Sequence, residues 1–98
     1  MHFLLFYDYV PDYLTRRQLH RLAHFEYARP FIERGELVLG GALADPADTG
    51  VLLFRGETPE VARTFAVADP YVQRGLVTSW RVRPWMTVMG PTAESPLP

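Results

Sequence analysis

Arg17, Arg21 and His24 recur at spacings of four and three residues, which aligns their side chains along one stripe of a helix. An imidazole, with an ordinary pKa near 6.5, takes up and returns a proton around neutral pH once a partner fixes its tautomer. Asp69 is the candidate partner. It precedes Pro70, and proline both disfavours helical geometry in the residue before it and suits the first position of a helical turn, so Asp69 is expected as an N-cap. Gly75 offers an exit with φ above zero. A carboxylate has about four lone-pair sites, so capping a turn and orienting a histidine are compatible roles. Tyr71 puts a phenol on the same corner. The chemistry these types support is general acid and base work by His24, with Arg21 and Arg17 holding a carboxylate or a developing oxyanion. Arg17 in a first helical turn opposes the macrodipole, so it gains nothing locally. Plain structural readings stay open beside this one: Asp69 as a cap alone, His24 as a hydrogen-bonded structural residue, both arginines as solvated charges.

Other chemistries find little footing. His20 and His24 share the i, i+4 spacing of helical metal sites, but no acidic residue follows His20 in the zincin manner and cysteine is absent, so neither a metal nor a cofactor is expected. His2 joins no pattern. There is no glycine-rich phosphate loop and no G-x-S-x-G elbow; Ser79 falls inside an expected strand and Ser95 in a tail. The formal net charge of −1, from 10 basic and 11 acidic side chains, argues against nucleic acid and anionic membranes as partners. Lack of cysteine suits a cytoplasmic location. The apolar run 3–7 is too short for a signal sequence or a membrane span.

With 98 residues, 48% of them hydrophobic, one domain with a small core is expected over 1–90, followed by a proline-rich tail at 91–98. Residues 3–7 read as a central strand buried on both faces. Thr15 and Gln18 fit a capping box, with Leu14 and Leu19 at the staple positions, so a first helix should start there. Its core face would be Leu14, Leu22, Phe25, Ala28 and Ile32, and Pro30 should kink or break it before Gly35 ends it. Strands at 36–43 and 51–55 should form a hairpin with a long loop. Thr58 and Pro59 open a second helix carrying Val61, Ala62, Phe65 and Ala66 inward, and 77–86 forms the last strand until Pro84 limits it.

The order β-α-β-β-α-β implies an α+β, ferredoxin-like domain: a four-stranded antiparallel sheet with both helices on one face. The other face then needs a cover, with Trp80 or Trp85 adding to its apolar surface. A homodimer joined through the sheets is the expected solution.

Four stretches, "RLAH" at 21–24, "ERGELVLGGAL" at 33–43, "ADPYVQRGLV" at 68–77 and "VRPW" at 82–85, occur in this order along the chain. In these the sequence resembles the YciI-like, or YCII-related, family. The resemblance implies a dimeric α+β barrel type of protein with an active site on a His-Asp pair, which would be His24 and Asp69. Arg21, Gly41 and Tyr71 match further motif positions. Pro30, and Gly40-Gly41 where relatives often carry glycine then proline, depart from the pattern. Some family members are similar to dehydrochlorinases of chlorinated aromatic breakdown. The function expected is a small cofactor-free lyase, isomerase or cyclase acting on an oxygenated aromatic or lactone-like metabolite. The alternative is a non-catalytic binding or accessory module that uses the same pocket.

Overall fold

Nine short elements follow one another in the computed structural model, which describes residues 1–95. They are β1 (His2–Tyr9), α1 (Tyr13–Arg16), a 3-10 turn (Arg17–Leu19), α2 (Arg21–Glu33), β2 (Leu37–Ala42), β3 (Thr49–Arg55), α3 (Glu60–Ala68), α4 (Pro70–Gln73) and β4 (Val77–Trp85). The strands form one sheet in the order β2-β3-β1-β4, with every neighbouring pair antiparallel. This is the expected ferredoxin-like α+β fold, with β1 inside the sheet.

One face of the sheet carries the core. Phe3, Leu5 and Tyr7 alternate on β1 and pair with Phe54, Leu52 and Gly50 on β3; Phe3, Leu5, Tyr7, Leu52 and Phe54 are buried, with Ala62, Phe65 and Ala66 of α3. Fully burying a side chain of the size of Phe65 stabilises by ~1.5–3 kcal/mol, so a few such residues decide the stability of a chain this short. Leu4 and Phe6 point to the other face and are only half-buried, so the run 3–7 is covered on one side rather than two. On that open face the Arg81 guanidinium lies 4.6 Å from the centre of the Phe6 ring. Trp80 packs on the core instead, while Trp85 is exposed.

The first helical region differs most from expectation. Among the described residues no side chain caps α1 or α2, and Leu14 and Leu19 are exposed, so neither the capping box nor the staple forms. Tyr13 explains the shift: burying its ring against the core outweighs a cap of about 1 kcal/mol, and the turn begins there. The chain then breaks at His20, not at Pro30, which α2 passes through without interruption. The N–H that Pro30 lacks would have bonded the carbonyl of Glu26, an exposed residue that water can serve, while the Pro30 carbonyl still accepts Arg34 N–H at 3.0 Å and the helix runs on. The break also resets the phase of the helix. His24, Tyr27, Ala28 and Phe31 face inward, whereas Leu22, Phe25 and Ile32 are exposed.

The second helical region keeps closer to its signals. Thr58 Oγ1 accepts from Glu60 N–H at 3.3 Å, and the regular helix starts at Glu60. Pro84 lies inside β4, which it does not end; β4 is an edge strand, where a missing N–H is harmless. Among the described residues, no helix is long and apolar enough to cross a membrane.

The expected tail at 91–98 extends beyond the described residues. Before that, Glu94 N–H and Ser95 N–H bond the hydroxyl and carbonyl of Thr87 at 2.8 and 3.1 Å. Thr87 Oγ1 in turn meets His2 Nδ1 at 2.6 Å. Burial, helped by Arg55 and the N-terminal ammonium and opposed by Glu94, lowers the His2 pKa below its ordinary 6.5. The folded state therefore prefers the neutral ring, so its stability is intact above 6.5 and declines as pH falls from there through the lowered folded value. Two results are expected: a ring titration midpoint below 6.5 by NMR, and a shallower acid loss of melting temperature in His2→Asn. A midpoint at or above the ordinary value would contradict this account.

Candidate active site

Where α3 ends, Asp69 takes an extended conformation (φ −62°, ψ 128°) and Pro70 opens α4, as the Asp-Pro pair implies. The Asp69 carboxylate accepts the Tyr71 N–H at 3.0 Å, which makes it the N-cap of α4. The same oxygen, Oδ1, accepts from His24 Nδ1 at 2.7 Å. Its second oxygen, Oδ2, accepts the Tyr7 hydroxyl at 2.6 Å. Asp69 is fully buried, so these three donors stand in for the water it has given up. Capping and orienting thus coexist in one side chain.

A carboxylate only accepts, so Nδ1 of His24 carries the proton and the neutral ring has its lone pair on Nε2. Among the described residues Nε2 has no hydrogen-bond partner, and it is not sealed from solvent as a buried unpartnered atom would be. The Tyr71 ring lies parallel to the imidazole, with centroids 3.8 Å apart and planes 6° apart. Hydrogen bond and stack together fix both the direction and the plane of the ring.

His24 opens on a cavity of about 370 Å³ between α2 and β2. Arg17, Arg21, Tyr71 and Gly41 all line it, so the structure brings together the residues singled out in the sequence. The Arg17 guanidinium is 5.3 Å from the Tyr13 ring and that of Arg21 is 5.1 Å from the Phe25 ring. Neither arginine has a carboxylate partner among the described residues. Gly41 contributes backbone, and a Cβ there would meet nothing within 4 Å. Burial and the nearby Tyr13 push the Tyr71 phenol up to about 12 against the pull of Arg21 and Arg17, leaving a neutral hydroxyl at physiological pH. His20 stands at the start of α2 without capping it through its side chain, and no group of three His, Cys, Asp or Glu among the described residues could hold a metal ion.

Three tyrosines complete the site and were not anticipated. Tyr7 holds Asp69, and its own phenol is pushed up by burial first and by Asp69 second. Tyr9 and Tyr13 stack at 3.6 Å with planes 7° apart and border the cavity. Gly50 makes room for Tyr9, since a Cβ there would collide with the Tyr9 hydroxyl. A signal for Tyr7 existed: a phenol inside an apolar strand needs a buried acceptor.

The family model of the YCII-related domain matches residues 1–86. The chain belongs to the YCII-related family. Among solved structures, this YCII-related chain is similar to the 5-chloro-2-hydroxyhydroquinone dehydrochlorinase TftG of Burkholderia phenoliruptrix AC1100, in complex with 2,5-dihydroxybenzoquinone. The match has 22% identity and a TM-score of 0.72, covering 87% of this chain and 93% of that one. A NIPSNAP family protein of Agrobacterium tumefaciens matches at 13% identity and TM-score 0.58, over 93% of this chain and 96% of that one. At such identities the likeness is one of fold. No curated protein matches the sequence.

Proposed function

We propose that this YCII-related protein is a cofactor-free enzyme of proton-transfer chemistry acting on a small oxygenated aromatic or lactone-like metabolite. One observation carries the reading: His24 is held through Nδ1 by a buried carboxylate at 2.7 Å while Nε2 is left free beside a cavity. That is the arrangement a general base needs, with the proton acceptor exposed and its opposite nitrogen anchored. Nε2 takes a proton from an acidic carbon or hydroxyl, and Asp69 stabilises the imidazolium that forms. The electron pair released moves toward oxygen, where Arg21 and Arg17 meet the developing anion and the Tyr71 hydroxyl donates to it. Return of the proton elsewhere gives an isomerase or cyclase. Departure of a leaving group gives a lyase, and the name of the TftG neighbour, a dehydrochlorinase, makes loss of hydrogen chloride the first elimination to try.

The reading places the enzyme in the cytoplasm as a homodimer that covers the open sheet face of Leu4 and Phe6. Light scattering on the purified protein should give twice the chain mass, and a monomer at micromolar concentration would discard the dimer. The catalytic reading is tested by incubating hydroxylated benzoquinones and chlorinated hydroquinones in deuterated water with the protein. Enzyme-dependent deuterium uptake or chloride release is expected. Saturable binding with neither would make the protein a binding module.

A further inference from the structure

The cavity beside His24 is elongated, and its two ends differ in chemistry. Arg21 and Ile32 both line it from α2, and 11 residue steps at 1.5 Å put them about 16 Å apart. The chain turns from α2 through Gly35 into β2, so Leu37 lies at the Ile32 end and Ala42 at the other. Arg17, Arg21 and the phenols therefore gather at one end, with Ala28, Ile32, Leu37 and Leu52 walling the rest. His24 stands between the two.

Gly40 keeps the apolar stretch open. It pairs with Leu52 on the helix-facing side of the sheet, and its φ is not in the left-handed region, so the backbone does not demand glycine there. A Cβ at this position would meet Leu52 side-chain atoms at 3.4 and 3.5 Å, an ordinary contact. Glycine inside a strand weakens it, and one that no turn requires marks a place where something else approaches closely.

We infer that the substrate is an amphiphile: an acidic oxygenated head held by Arg17 and Arg21, a reacting atom at His24 Nε2, and an alkyl or similar apolar arm lying over Gly40 toward Ile32. This rests on the acid-base reading of the same site and adds its substrate class.

The test is calorimetric binding of 2,5-dihydroxybenzoquinone and its 3-methyl, 3-propyl and 3-pentyl homologues to the intact protein. Affinity should rise about three- to fourfold per methylene as the arm fills the groove. In Gly40→Val the ratio of pentyl to parent affinity should collapse toward one, with Gly40→Ala in between. Circular dichroism establishes that each variant is folded. Parent binding without a gain along the series overturns the arm and leaves the acid-base reading standing. A gain that survives in folded Gly40→Val overturns the route over Gly40. Failure of every homologue to bind overturns both arm and head.

Discussion

His24→Ala is expected to lower turnover by two to four orders of magnitude, the usual contribution of a positioned general acid or base, with the fold retained. Asp69→Asn should act almost as strongly, for a different reason. An asparagine fits the same space: its carbonyl keeps the Tyr71 N–H and the His24 Nδ1–H, and its amide donates to the Tyr7 hydroxyl. What disappears is the negative charge 2.7 Å from Nδ1, which favours the imidazolium once Nε2 has taken its proton. Loss therefore belongs in kcat, with substrate affinity little changed. The measurement is steady-state kinetics on any substrate found by deuterium uptake or chloride release, beside a thermal melt of each variant. Full activity in both variants would remove the mechanism.

The contrast between these residues shows which parts of the site are legible in sequence. The Asp69 corner is legible because Pro70 restricts two residues at once and a capping carboxylate has lone pairs to spare, so local rules suffice. Arg21 and His24 are legible as neighbours on α2, whereas Arg17 lies in the 3-10 turn before the break at His20 and lines the cavity from there, not from the same helical stripe. The inward face of α2 is not legible. Leu22, Phe25 and Ile32 satisfy helical periodicity as well as the true core residues do, and only the break at His20, caused by the buried Tyr13, rotates them outward. Phe25 and Ile32 end as cavity wall. Tyr7 is hidden for the opposite reason: in an apolar strand it reads as core, and its partner lies 62 residues away. A phenol in such a strand implies some buried acceptor but gives no sign of which distant residue supplies it.

That hidden pairing governs the second large effect. In Asp69→Leu the Tyr7 hydroxyl and the Tyr71 N–H lose their acceptor, and both residues are too buried to recruit water. Each orphaned donor costs about 1–3 kcal/mol. Removing a buried carboxylate returns part of this, because an apolar residue carries no desolvation penalty. A net loss of about 3 kcal/mol remains, a fall in melting temperature of roughly 10–20 °C for a domain of this size. Asp69→Asn should fall less: it keeps the Tyr71 N–H and the His24 Nδ1–H, so one donor, the buried Tyr7 O–H, is orphaned instead of two. His24→Ala should fall by an intermediate amount: the side chain is only 14% exposed and the buried carboxylate loses one of its three donors, but Oδ1 keeps the Tyr71 N–H and no buried donor is orphaned. The decisive variant is the double one: adding Tyr7→Phe to Asp69→Leu removes the orphaned hydroxyl, so the pair should be more stable than Asp69→Leu alone by about 1–3 kcal/mol. Additive losses in chemical denaturation would mean that Tyr7 and Asp69 are not coupled and that the carboxylate is held by other means.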